Sequence, residues 1–92
     1  MRFEWDPRKA EQNAGKHKVT FEEAIEVFTD PNAFEEFDES HFENERRYRR
    51  IGLSTRRLLL VVFVEISGDG IRLLSARKAT ARERKYYEQA QS

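Results

Sequence analysis

The feature that most constrains the fold is the run Leu58-Leu59-Leu60-Val61-Val62-Phe63-Val64-Glu65-Ile66, where seven apolar residues precede the first charge. It has strand length, far short of a membrane span, and its β-branched and Leu content suits a central strand. Neighbours are supplied on either side. Arg46 to Leu53 alternates imperfectly, the short link Ser54-Thr55-Arg56-Arg57 follows, and Ile71 to Lys78 completes an antiparallel meander after Ser67-Gly68-Asp69-Gly70, whose glycines suit a tight hairpin with positive φ. Two further short strands are expected. Met1 to Trp5 places Phe3 and Trp5 on one face by alternation, and Ala33 to Phe37 precedes an exposed loop.

Helix signals fall between these strands. Asp6-Pro7 is an N-cap followed by proline at the first helical position, and Gly15 stands where that helix could stop. Its inward stripe, Ala10, Asn13, Ala14 and His17, is small and partly polar. Thr20 to Glu23 reads as a capping box, in which hydroxyl and carboxylate each satisfy a backbone donor, opening a second helix with Phe21, Ala24, Ile25 and Phe28 inward and Asp30-Pro31 as its end. Thr80 to Glu83 is a second capping box for a C-terminal helix carrying Tyr86 and Tyr87, which read as core and rim rather than as base-stacking platforms. The fold class expected is α+β. It is one domain over residues 1–92, a mainly antiparallel sheet of about four to five strands with two N-terminal helices and one C-terminal helix.

Composition narrows the chemistry. No cysteine occurs, which excludes disulfides, thiolate nucleophiles and Cys-ligated zinc and permits a cytoplasmic location. The formal net charge is +0, yet residues 1–45 carry 5 Lys/Arg and 13 Asp/Glu (net −8) while residues 46–92 carry 12 and 4 (net +8). That division suggests a basic patch built from the C-terminal strands and helix. Within it, Arg77 and Lys78 stand where a strand runs into a capped helix, a setting suited to an anion such as phosphate.

In order and spacing, several segments resemble the BrnT family of bacterial type II toxins. They are Phe3-Glu4-Trp5-Asp6 with Lys9 and Asn13, Lys16-His17, Val19 to Ala24, Phe28 to Pro31, Gly52-Leu53-Ser54, Ile71-Arg72, Ser75 to Thr80, Glu83-Arg84 and Tyr87-Glu88. Two positions depart from the family pattern: Lys18 replaces a usual glycine, and Ile66-Ser67 stands where an arginine is common. The resemblance implies a compact RelE-like fold, ribonuclease activity that inhibits translation, and no cofactor. It also implies neutralisation by a cognate BrnA-type antitoxin that binds operator DNA, hence a toxin–antitoxin hetero-oligomer.

RNA can be cut through its own 2′-hydroxyl, so the protein need only move protons and stabilise a crowded anionic phosphorane. The catalytic candidates are His17, Arg77, Lys78 and Glu83, and the RNA-binding candidates are Lys16, Arg47, Arg49, Arg50, Arg72 and Arg82, with mRNA as substrate. Arginine suits the task because its planar fork can hold two phosphate oxygens. Two roles stay open at this level. His17 is a proton-transfer group or a hydrogen-bonded core residue; Glu83 is the cap partner of Thr80 or an ion-pair partner of Arg77. Asp38, Glu39 and His41 would need an ordered loop to gather as a metal site, so none is assigned. The competing function is a binding module without catalysis, whose basic face engages an acidic partner or nucleic acid through charge alone.

Overall fold

The computed structural model describes residues 1–38 and 46–91. A five-stranded sheet carries the fold, ordered β1-β5-β4-β3-β2, from β1 (Arg2–Glu4), β2 (Phe34–Phe37), β3 (Arg47–Leu53), β4 (Leu58–Ile66) and β5 (Gly70–Lys78). The long apolar run is the central strand, as its composition demands. The sheet is mixed rather than purely antiparallel, because β1 lies parallel to β5 while the other three pairings are antiparallel. In the turn before β5, Gly68 takes φ +77°, the left-handed conformation expected of it.

The two faces of β4 pack different partners. Leu59, Val61 and Phe63 join Val19, Phe21, Ala24 and Val27 in the larger core, beneath α1 (Pro7–His17) and α2 (Phe21–Ala24). Leu58 and Leu60 join Ile51 and Tyr87 on the opposite face, beneath α3 (Ala81–Gln89). Among the described residues, no helix is long and apolar enough to cross a membrane.

Three local expectations change. Helix α1 passes through Gly15 to His17 and stops at Lys18, which itself adopts φ 59°, ψ 33°. The left-handed C-cap typical of glycine is thus kept by lysine, whose backbone N–H bonds Ala14 O and whose Nζ donates to Gly15 O at 2.9 Å. The second helix has only one α-helical turn, then continues as a 3₁₀ turn over Ile25–Thr29. The tighter winding buries Val27 completely and leaves Ile25 and Phe28 half-buried.

The Thr20 box, finally, is half formed: Thr20 Oγ1 accepts from the Glu23 N–H, but the Glu23 carboxylate faces inward to Arg57 and Ser54. Arg57 donates to both Glu23 oxygens at 2.8 and 3.0 Å and to Lys18 O at 2.8 Å, tying the left-handed turn to the β3–β4 connection. The fork and hydrogen bonds from Arg57 hold the Glu23 carboxyl below the usual range against the opposing effect of burial.

Candidate active site

The β5–α3 junction is built by its cap. Thr80 Oγ1 accepts from the Glu83 N–H at 3.1 Å, while Glu83 Oε1 accepts from the Thr80 N–H at 2.9 Å. The same carboxylate also grips Arg77, with Nη1 donating to Oε1 at 2.9 Å and Nη2 to Oε2 at 2.8 Å. Both roles left open for Glu83 are therefore filled at once. Burial pushes its carboxyl up, but Arg77 and the Thr80 N–H draw it down further, so it lies below the ordinary range; Arg77 is raised in turn by Glu83. The anion expected at this junction is present within the chain itself.

Strand register arranges the other arginines. On the α3 face, successive rows across the sheet read Phe34, Ile51, Leu60, Arg77; then Glu36, Arg49, Val62, Ser75; then Arg47, Val64, Arg72, Glu4. Rows along a strand repeat at about 7 Å. Helix α3 covers the first row, and the next two form a half-open surface bearing Arg47, Arg49 and Arg72. Of the candidates, Arg47, Arg49, Arg72, Arg77, Arg82 and Glu83 share this side.

The rest stand elsewhere. Arg50 points to the opposite face, where it donates to Val27 O, Asp30 O and Glu35 and lies 5.2 Å over the Phe28 ring. Lys78 alternates away from Arg77, beside Leu59. Lys16 is exposed on α1. His17 is half-buried one turn beyond Asn13, whose Nδ2 donates to Val19 O and Ala76 O, both at 2.8 Å, while its Oδ1 accepts from the Ala76 N–H at 3.0 Å. Because Lys78 is two residues beyond Ala76, His17 and Lys78 lie at the same end of the α1–β5 seam.

The expected basic patch is largely compensated. Arg49 pairs with Glu36 at 2.6 Å, Arg72 with Glu4 at 2.6 Å, Arg50 with Glu35 at 2.9 Å and Arg57 with Glu23 at 2.8 Å, so acids of the first half meet bases of the second. Sequence reasoning foresaw none of these ion pairs, and it gave Glu23 to the Thr20 cap instead, because each partner is remote in sequence. It also missed Phe34 and Tyr86 as a pair, nearly parallel at 15° with centroids 5.9 Å apart, and the Tyr87 hydroxyl, which donates to Asp30 Oδ2 at 2.8 Å and moors α3. The aromatic pair lines a cleft of about 200 Å³ that also touches Glu36, Arg49, Arg82 and Glu83. Among the described residues no three His, Asp or Glu gather as a metal site, and Glu39 and His41 lie outside those residues.

A known family matches most of the chain. The family model described as "Ribonuclease toxin, BrnT, of type II toxin-antitoxin system" matches residues 5–83. The chain belongs to the BrnT family. BrnT membership makes it a ribonuclease toxin of a type II system and implies an antitoxin partner. The 1.1 Å crystal structure of the Brucella abortus ribonuclease toxin BrnT is similar in fold, with a TM-score of 0.67 at 20% identity, covering 87% of this chain and 97% of that one. No curated protein sequence matches. The BrnT match takes in both the Lys16-His17 segment and the junction through Glu83.

Proposed function

We propose that the protein cleaves mRNA without a metal ion and so inhibits translation, with the Arg77–Glu83 corner as its reaction centre. The bidentate pair supports this most directly: it holds an ionised carboxylate and an anion-binding fork together beside an open surface of arginines. An RNA phosphate competes with Glu83 for the Arg77 fork. As the fork turns to the phosphate, the Glu83 carboxylate loses the partner that depresses its pKa and becomes a better base.

Glu83 then takes the proton of the ribose 2′-hydroxyl, the 2′ oxygen attacks phosphorus, and the bond to the 5′ oxygen breaks. The products are a 2′,3′-cyclic phosphate and a 5′-hydroxyl. Arg77 and Lys78, reaching the strand end from opposite sides, stabilise the phosphorane. His17, at the same end of β5, protonates the leaving oxygen. Arg47, Arg72, Arg82 and Lys16 hold flanking phosphates.

Kinship with RelE-like ribonucleases, action in the cytoplasm and neutralisation by a BrnA-type antitoxin belong to the same proposal. A standard interface covers about 800 Å² per partner, and on so small a domain an antitoxin lying on the α3 face would overlap the corner. Digestion of RNA by purified protein, with and without EDTA, tests the chemistry. Cyclic phosphate ends in both conditions are expected, together with a loss of about 10²–10³ in kcat for the Arg77→Ala, Lys78→Ala double variant. Folded wild-type protein that leaves RNA intact would overturn the reading, as would undiminished cleavage under saturating antitoxin for the inhibition proposed.

A further inference from the structure

The cleft beside α3 shares a wall, Glu83, with the reaction centre, but its other walls are of a different kind. Its floor is apolar, Ile51 and Leu60. On one side Tyr86 stacks on Phe34, yet Tyr86 remains 45% exposed, so the pair is an aromatic platform and not a sealed core contact. Across from it, Glu36 and Arg49 form a charged pair at 2.6 Å, and Arg82 stands nearby. At about 200 Å³ the cleft is small, below the roughly 300–1,000 Å³ of drug-sized sites. An apolar floor, an aromatic wall and a donor–acceptor pair suit a single flat ring system with polar edges.

We propose that this cleft receives one unpaired nucleobase of the RNA, stacked on Tyr86 and read at its edge by Glu36 and Arg49. The inference rests on the ribonuclease reading above and adds what that site recognises. Base stacking on an aromatic side chain is a general means of holding single-stranded nucleic acid, and an adjacent arginine strengthens it. The shared Glu83 wall puts the bound base next to the phosphate held by Arg77. The edge readers also discriminate. A carboxylate accepts and a guanidinium donates, and guanine meets both demands on one edge, with N1–H and the N2 amino group as donors beside the O6 acceptor. Adenine, cytosine and uracil each offer only one donor on that edge, and so give the carboxylate one hydrogen bond where guanine gives two. Guanine is therefore the preferred occupant.

The test uses the full chain and short single-stranded RNAs with 2′-O-methyl riboses, which block cleavage, each carrying thienoguanine, a fluorescent guanine analogue that keeps the N1–H, the amino group and the carbonyl oxygen, at a different position. For one position, saturating wild-type protein is expected to quench the fluorescence, Tyr86→Leu to abolish the quench and weaken binding about ten-fold, and Tyr86→Phe to restore both. Arg77→Ala is expected to weaken binding while keeping the quench at saturation. In cleavage of unmodified RNA, guanine at the matching position should be favoured, and Glu36→Gln should flatten that preference. A quench unaltered in Tyr86→Leu overturns the inference. Binding without any quench does so too and leaves the ribonuclease reading standing, whereas no binding by folded wild-type protein overturns both. Unchanged RNA binding by Tyr86→Leu with a weakened antitoxin complex would assign the cleft to the protein partner instead.

Discussion

At Glu83 one carboxylate closes a helix cap and fixes an arginine, so Glu83→Gln separates charge from shape. The amide keeps an acceptor for the Thr80 N–H but releases Arg77 and cannot take a proton. We expect kcat to fall by about 10²–10⁴ while KM falls, a split that steady-state kinetics on a short RNA would read; a rise in KM alone would contradict it. The depressed carboxyls also set acid stability. Glu23, Asp30 and Glu83 have folded-state pKa values below their ordinary ones, so their stabilisation is fully present above the unfolded values and is lost as pH falls through the lowered ones. Glu23→Gln should therefore flatten the acid limb of a Tm-against-pH curve. Tyr87 behaves in the opposite sense. Burial, then Asp30, pushes its hydroxyl from 10.0 to about 12, so its stabilisation is present below 10 and is lost as pH rises towards about 12. In Tyr87→Phe that alkaline loss should be smaller, as measured by thermal melts at high pH.

At the scale of elements, what was legible in the sequence was local. Asp6-Pro7, Thr80 with Glu83, the glycine hairpin and the apolar run fixed where elements start, because caps and turns are decided within a few residues. The half-formed Thr20 box was misread because its decisive partner, Arg57, is 34 residues away from Glu23. The candidate corner was legible for the same reason that the caps were, with Arg77 only six residues from Glu83, whereas the Phe34–Tyr86 platform required the whole meander. Gly52 shows a contact no pattern discloses. A Cβ there would stand 3.0 Å from Val27 Cβ and 3.2 Å from Val27 O, so the missing side chain lets the 3₁₀ turn lie against β3.

The end of α1 offers a stabilising change: Lys18→Gly relieves left-handed strain of about 1 kcal/mol, offset in part by the lost bond to Gly15 O, and Tm should rise. Asn13→Asp should do the reverse. It replaces a donor shared by two carbonyls with a buried negative charge facing them, at a cost of at least about 3 kcal/mol, readable as a lower midpoint in urea.

At the scale of the molecule, opposite charges from the two sequence halves are interleaved among the described residues, so under the proposed function the paired arginines reach RNA only by leaving carboxylates. Binding should consequently depend weakly on salt, with log K falling against log salt by no more than about 3, at about 0.7 per phosphate neutralised. Fluorescence anisotropy between low and moderate salt checks this; a much steeper slope would mean a freer basic surface. The parallel seam has a further consequence in time. β1 is synthesised well before its partner, Gly70 to Arg72, and Asn13 must wait for Ala76, 63 residues later. Synthesis runs at about 5–20 residues per second, so the first strand remains without its partner for seconds. A nascent chain stopped before Arg77 lacks both the end of β5 and the Arg77–Glu83 corner. With the reaction centre proposed above, the ribosome, itself made largely of RNA, therefore meets the growing chain before it is armed.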